Sequence, residues 1–310
     1  MKIYDCFTFY NEYDILEIRL QTYYDYVDYF VISECNKIHT GGDKPYNYLE
    51  HSQRFSKYAD KIIYIKADAN QKVEDVIRTA KNKVIENWGI EYFQRNALIN
   101  GLSNCSPDDV IIVSDLDEFL PIELLKELKS GTSKKSLFKV HRPRGKKNLL
   151  RFIFNPKLSL QKRKVWPTLK YKPLVVTQRM YYYFMNTIMN DVWRGSVICL
   201  YKNLTTPQQL RNIRNETYTI TEGKDGLAGW HFSYLGGREK IKEKLHSIVD
   251  GHNAFKYENL DQHIDDCLQN QKDLFGRGFV FTIQNDNEIL FPNITELKTN
   301  YPLFFYTITK

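Results

Sequence analysis

The chain has 310 residues, of which 42% are hydrophobic and 26% charged, with a net charge of +7, values ordinary for a soluble globular protein of one large or two small domains. No apolar run reaches the roughly 18 residues a transmembrane helix needs, and the first residues lack a signal-peptide apolar region, so a cytoplasmic protein without a membrane anchor is expected. Five scattered cysteines with no Cys-x-x-Cys pair argue for a reducing compartment and against a structural zinc site.

In chain order, residues 2–10 alternate weakly, are rich in aromatics and predict a first strand. Asn11 then stands as an N-cap before Ile15, Leu16, Leu20, Tyr23 and Tyr24 at helical spacing. Segments 28–34 and 61–66 read as short strands. Between 71 and 88 the residues Val73, Val76, Ile77, Ala80, Val84, Ile85 and Trp88 form one helical stripe, and 91–102 predicts another helix. The run Val110-Ile111-Ile112-Val113 reads as a buried parallel strand. Strands separated by helices in this way make βαβ units. After about residue 130 the texture changes. Strands are expected over 137–141, 149–154, 174–177, 181–184, 192–201 (interrupted at Gly195), 229–233 and 279–283. Helices are expected over 207–214, 237–250 and 258–275, and the last twenty residues read as a tail packed on the surface. With no Gly/Ser/Pro linker, residues 1–130 and 131–310 are expected to be two halves of one compact unit.

The chemistry concentrates where the apolar run stops, at Asp115-Leu116-Asp117-Glu118. In open α/β sheets ligands bind beyond the carboxyl ends of the strands. Alternate residues of an extended segment point the same way, so Asp115 and Asp117 can face one site. Two hard oxygen ligands suit Mg²⁺ or Mn²⁺. The competing reading is an acidic strand-to-helix turn, with Asp117 or Glu118 near the start of a helix opened by Pro121. P-loop, Gly-x-Ser-x-Gly and Rossmann glycine signatures are absent. A nucleotide would then have to be held by a metal and by basic side chains. His231, in Gly229-Trp230-His231-Phe232-Ser233, is either a ligand or a packed core histidine. From 134 to 172 the chain carries only basic charges. That block is either an anion-binding surface or a solvated loop.

The segment 5–20, with Phe7-Thr8-Phe9-Tyr10-Asn11-Glu12-Tyr13-Asp14 at its centre, resembles the start of family 17 glycosyltransferases, the family of the enzyme that adds the bisecting GlcNAc to N-glycans. Segments 27–34, 108–118 and 228–233 continue the resemblance in order, over roughly residues 3–250. The basic middle segment has no counterpart in it. The resemblance implies a GT-A fold: an α/β, Rossmann-like, mostly parallel central sheet flanked by helices, with a mixed second half. It also implies a UDP-sugar donor (UDP-GlcNAc), Mn²⁺ or Mg²⁺, a glycan or other hydroxyl acceptor, and inversion at the anomeric carbon. Asp115, Asp117 and His231 are then expected as metal ligands, with Asp115 also touching the donor. Glu34 is placed to bond the ribose or base. Arg95 resembles an arginine that contacts the donor, or is a helix-surface ion pair. Asn11 and Glu12 border the uracil, or serve only as a cap.

An inverting transfer needs a base to deprotonate the acceptor hydroxyl. Asp191 is the first choice, with Glu118, Asp225 and Glu222 as rivals. Two other functions compete. One is nucleic-acid binding through the basic block and its interleaved Phe152, Phe154, Trp166 and Tyr171. The other is a non-catalytic sugar-nucleotide-binding relative. The resemblance favours the enzyme and makes nucleic acid an unlikely partner.

Overall fold

The computed structural model describes residues 1–70, 88–134, 136–142, 163–222 and 226–307. The predicted helix over 71–88 (save Trp88), the strand over 149–154, Asp225 and most of the basic block, with Phe152 and Phe154, lie outside the described residues.

The first half is built as βαβ units. Strand β1 (Ile3–Phe9) leads into helix α1 (Tyr13–Tyr23), then β2 (Tyr29–Cys35), a short helix α2 (Asn47–Glu50) and β3 (Ile62–Ala67). Helix α3 (Gly89–Ala97) precedes β4 (Val110–Asp115). Strands β3, β2, β1 and β4 lie side by side and parallel. The apolar run of β4 is buried on both faces. Val110 and Ile112 enter one core layer, Ile111 and Val113 the other. That two-sided burial is why the run lacks polar alternation.

After β4 come β5 (Glu118–Phe119), α4 (Ile122–Ser130), β6 (Phe138–His141) and α5 (Val165–Leu169). Two long strands, β7 (Leu174–Tyr182) and β8 (Thr187–Leu200), carry the sheet onward. They are followed by α6 (Pro207–Asn212), β9 (Tyr218–Glu222), β10 (Trp230–Ser233), α7 (Gly237–Ser247), α8 (Leu260–Asn270), β11 (Phe281–Ile283) and α9 (Ile294–Asn300). The sheet runs β3-β2-β1-β4-β8-β7-β10-β5, with β9 and β11 pairing β7 and β8 and β6 pairing β9. It is parallel through the first half and mixed in the second, as the family resemblance implies.

Four expectations are corrected. Segments 174–177 and 181–182 belong to one strand, because the intervening Gln178 is a buried polar residue whose amide donates to Phe119 O and Trp230 O, and Tyr183 and Phe184 lie beyond its end. Gly195 does not end β8, although the β7–β8 register shifts between Arg194 and Val197; it lets Gln178 and Glu118 approach the backbone. Helix α1 starts one residue later than expected, with Glu12 rather than Asn11 as its N-cap, and without a side-chain capping bond. The tail is no surface appendage: Phe291, Leu297, Phe304 and Phe305 are buried in the main core.

Candidate functional site

The chain leaves β4 at Asp115 and, after Leu116 and Asp117, re-enters the sheet as β5. Glu118 pairs with His231 and Phe119 with Trp230 across the antiparallel β5–β10 contact. The amide of Phe232 also donates to the carbonyl of Asp117 at 2.9 Å. The acidic turn is therefore not a helix cap, which corrects that reading. A strand from the far half of the chain clamps it and delivers His231 to it.

Beneath the turn lies Arg19 of α1, fully buried. Its guanidinium grips Asp5 of β1 through two bonds, at 2.8 and 2.6 Å. Its other donors go to Ser114 Oγ (2.7 Å) and to the carbonyls of Leu116 (3.0 Å) and Glu118 (2.7 Å). An arginine fork suits this fixed multi-point geometry.

Asp117 and His231 meet directly: Asp117 Oδ1 is 3.3 Å from His231 Nε2. The other oxygen, Oδ2, pairs with Lys244 Nζ of α7 at 3.1 Å. Burial works against the Asp117 carboxylate, but Lys244 and His231 outweigh it and hold its pKa well below the usual range. Burial also disfavours charged Lys244, yet Asp117 and Glu12 raise its pKa above the ordinary value. The His231 ring stacks on Trp193, centroids 4.7 Å apart, and its Nδ1 faces Met180 Sδ at 3.0 Å.

Asp115 is differently employed. Its Oδ1 bonds Arg95 at 3.0 Å and its Oδ2 bonds Arg211 of α6 at 2.5 Å. Burial opposes its charge, but Arg211 and Arg95 win and lower its pKa. Arg211 also forks onto Glu118, at 2.9 and 2.5 Å, and Glu118 accepts from Trp193 Nε1 at 2.6 Å.

Of these groups, Arg95, Asp115, Asp117, Trp193, His231 and Lys244 line a cleft of about 280 Å³ at the carboxyl ends of β1 and β4. Phe9, Glu12, Lys44, Gln94 and Arg95 come from the first half; Trp193, His231, Tyr234 and Lys244 come from the second. The lining thus draws on both sides of residue 130.

Among the described residues no group of three or more acidic, histidine or cysteine side chains is gathered as a ready metal cage. Both Asp115 oxygens are already bonded to guanidinium groups, so an Asp115–Asp117–His231 ligand set is not assembled. Asp117 and His231 do fit a divalent ion as a pair. Two ligands on adjacent corners of an octahedron with bonds of about 2.1 Å stand about 3.0 Å apart, and Mg²⁺ commonly takes few protein ligands and fills the rest with water and phosphate. The distance of 3.3 Å is close to that spacing.

The other predicted residues fall as follows. Arg95 lines the cleft and is buried, so it is not a surface ion pair. Glu34 is buried behind the wall; Lys44 Nζ (2.6 Å), the amides of Asn47 (2.7 Å) and Tyr48 (3.0 Å) and Tyr64 OH (2.8 Å) fill its oxygens. Glu34, expected at the ribose or base, therefore reaches the cleft through Lys44, which lines it. Asn11 bonds Glu243 at 2.8 Å and lines a neighbouring cavity rather than this cleft. Glu12 lines both. Asp191, the expected base, is exposed on β8, accepts from the amide of Val192 at 2.7 Å and does not line this cleft. Of its rivals, Glu118 is committed to Arg211 and Trp193, and Glu222 pairs with Phe138 in the β6–β9 ladder.

Sequence reasoning missed Arg19, Arg211, Trp193 and Lys244. Arg19 and Lys244 flank apolar helical stripes, where a basic residue ordinarily faces solvent. Only the tertiary fold reveals that these face acids.

Residues 1–140 match the family model of Glycosyltransferase family 17. No curated protein matches the chain. No described helix is long and apolar enough to cross a membrane. The matched region contains β1, α1, Arg19, the Asp115–Asp117 turn and Arg95, so this amino-terminal part of the chain is similar to Glycosyltransferase family 17.

Proposed function

We propose that the chain is a metal-dependent, inverting glycosyltransferase that moves GlcNAc from UDP-GlcNAc to a hydroxyl of a glycan. The observation that supports this is the 3.3 Å approach of Asp117 Oδ1 to His231 Nε2 in a cleft at the carboxyl end of a parallel sheet. Asp117 and His231 would hold Mn²⁺ or Mg²⁺. When bound, such an ion neutralises charge on a departing diphosphate. Arg95 and Lys44, on the cleft wall, offer further positive charge to the phosphates. Glu34 acts indirectly, by fixing the Lys44 ammonium at 2.6 Å. Asp115 serves as the anchor that keeps Arg95 and Arg211 in place. In this reading residues 1–130 supply most of the donor wall, and residues 131–310 supply Trp193, His231 and Lys244.

The test is a titration of the full chain with UDP-GlcNAc, UDP-glucose and UDP-galactose, with and without Mn²⁺. A ligand that binds the native state raises the melting temperature by mass action. UDP-GlcNAc with Mn²⁺ should give the largest rise and release UDP, and EDTA should stop the release. No shift with any UDP-sugar in Mn²⁺ would sink the donor reading. Undiminished release in EDTA would sink the metal.

A further inference from the structure

A second cavity, of about 620 Å³, opens beside the first. It lies between the start of α1 and the carboxyl-terminal segment around Tyr301. Ligand pockets of small molecules commonly measure roughly 300–1,000 Å³. Three residues line both spaces: Glu12, Tyr234 and Lys244. The two cavities therefore meet at a junction that also holds the Asp117–Lys244 ion pair.

The lining of the second cavity has the chemistry of a saccharide site. Tyr13 and Tyr301, both half-buried, line it together with the more buried Tyr234 and Phe304, and Tyr301 stacks on Phe304 with centroids 5.6 Å apart. Aromatic faces pack against the C–H side of a sugar ring, and polar groups between them take its hydroxyls. The cations present are already matched: Lys240 pairs with Glu243 and Lys244 with Asp117. Arg54 is shared between Asp14 (2.6 Å) and Glu17 (2.7 Å). A neutral polyhydroxyl ligand suits a wall whose guanidinium is neutralised; a free anion does not.

Glu12 is distinguished at the junction. The acids lining the first cleft are Glu12, Glu91, Asp115, Asp117 and Asp250; those lining the second are Glu12, Asp14 and Glu17. Glu12 alone stands on both walls. Its Oε2 accepts the amides of Tyr10 (3.3 Å) and Asn11 (3.1 Å), which fixes the carboxylate. Its Oε1 accepts no hydrogen bond from any described residue. The oxygens of Asp115, by contrast, are both bonded to guanidinium groups, and those of Asp117 face Lys244 and His231.

We infer that the second cavity binds the acceptor saccharide and that Glu12 is the general base. The inference rests on the first cleft being the donor site. In the transfer the acceptor oxygen forms a bond to the anomeric carbon while the bond from that carbon to the diphosphate oxygen breaks. The hydroxyl proton passes to Glu12 Oε1, and UDP leaves with the bonding pair.

The experiment uses the full chain with Mn²⁺ and three measurements. These are the UDP-GlcNAc dissociation constant by calorimetry, UDP release with water as acceptor, and the change in that release on adding cellobiose or N,N′-diacetylchitobiose. Glu12→Gln should keep donor affinity and lose about 100-fold or more in UDP release, the lower end of what a positioned base contributes. Glu12→Asp should restore part of that rate. Tyr301→Ala should keep donor affinity and the water-acceptor rate but remove the saccharide effect. Normal UDP release by Glu12→Gln with donor bound would overturn the base. Either saccharide acting equally on Tyr301→Ala and wild type, or neither acting on wild type, would overturn the acceptor cavity. Failure of wild type to bind UDP-GlcNAc would instead strike the donor reading, and this inference with it.

Discussion

Asp5 and Arg19 form a two-bond ion pair in the core, with Arg19 fully buried and Asp5 nearly so. The pair joins β1 to α1, and Arg19 extends from it to the carbonyls that form the acidic turn. A local contact between the first strand and first helix thus sets the backbone on which Asp117 is presented. Removing one partner of such a pair leaves a buried charge uncompensated, at a typical cost of about 3–5 kcal/mol. Arg19→Met should lower stability by that amount in urea unfolding. The double variant Asp5→Leu/Arg19→Met should recover a large part of it. A double variant no more stable than the single one would mean that the pair is not the dominant interaction there.

The acids of the turn should separate by role. Asp117→Ala and His231→Ala should each weaken Mn²⁺ binding by at least about tenfold, as expected when a ligand or its support is removed. Asp115→Ala should act mainly on stability, because it releases Arg95 and Arg211 while Glu91 and Glu118 still hold them. Mn²⁺ titration followed by electron paramagnetic resonance measures both effects. Loss of Mn²⁺ affinity in Asp115→Ala as complete as in Asp117→Ala would return Asp115 to the ligand set.

In the proposed metal site Lys244 would compete for the same carboxylate. Its ammonium lies 3.1 Å from Asp117 Oδ2 and carries a raised pKa. Lys244→Met should therefore tighten Mn²⁺ binding in the absence of nucleotide. A variant that binds Mn²⁺ more weakly would show that the ammonium helps to organise the site rather than competing for it.

Acid should unfold the protein partly through these same groups. Asp115 and Asp117 have native pKa values below the unfolded value of about 3.9. Between the native and unfolded pKa values the unfolded chain binds more protons, so stability rises with pH there. Their contribution is fully present above about pH 4 and is lost as pH falls through the native values. Unfolding free energy measured from pH 6 down to pH 2 should fall more steeply in the wild type than in Asp117→Asn. Equal slopes would mean that Asp117 carries no such linkage.

Much of the frame is legible in the sequence because local patterns encode it. The uninterrupted Val110-Ile111-Ile112-Val113 run announces a strand buried on both faces, and the acids after it mark the ligand end of the sheet. The second half is less legible. Gln178 and Asn190-Asp191 look like breaks, yet β7 and β8 pass through them because those residues find hydrogen bonds or solvent at a sheet position. The base is illegible for a different reason. Asp191 and Glu12 are both single acids in plain contexts, and only the meeting of two cavities separates them.

Gly195 gives a last test of how tightly the site is supported. A Cβ there would come within 2.0 Å of Gln178 Oε1 and 2.6 Å of Glu118 Cδ. Both neighbours are fully buried, and Glu118 is the acid that holds Arg211 and Trp193. Gly195→Ala must therefore shift Gln178, Glu118 or the backbone of β8. Overpacking of this kind typically costs about 1–3 kcal/mol. Because Trp193 stacks on His231, the strain should also reach the metal pair and weaken Mn²⁺ binding. Shortening the crowding side chain in Gly195→Ala/Gln178→Ala should make the two losses less than additive, since residues in contact couple. Strict additivity in the four-variant cycle, or a Gly195→Ala protein as stable as wild type, would show that the close approach places no constraint on the site.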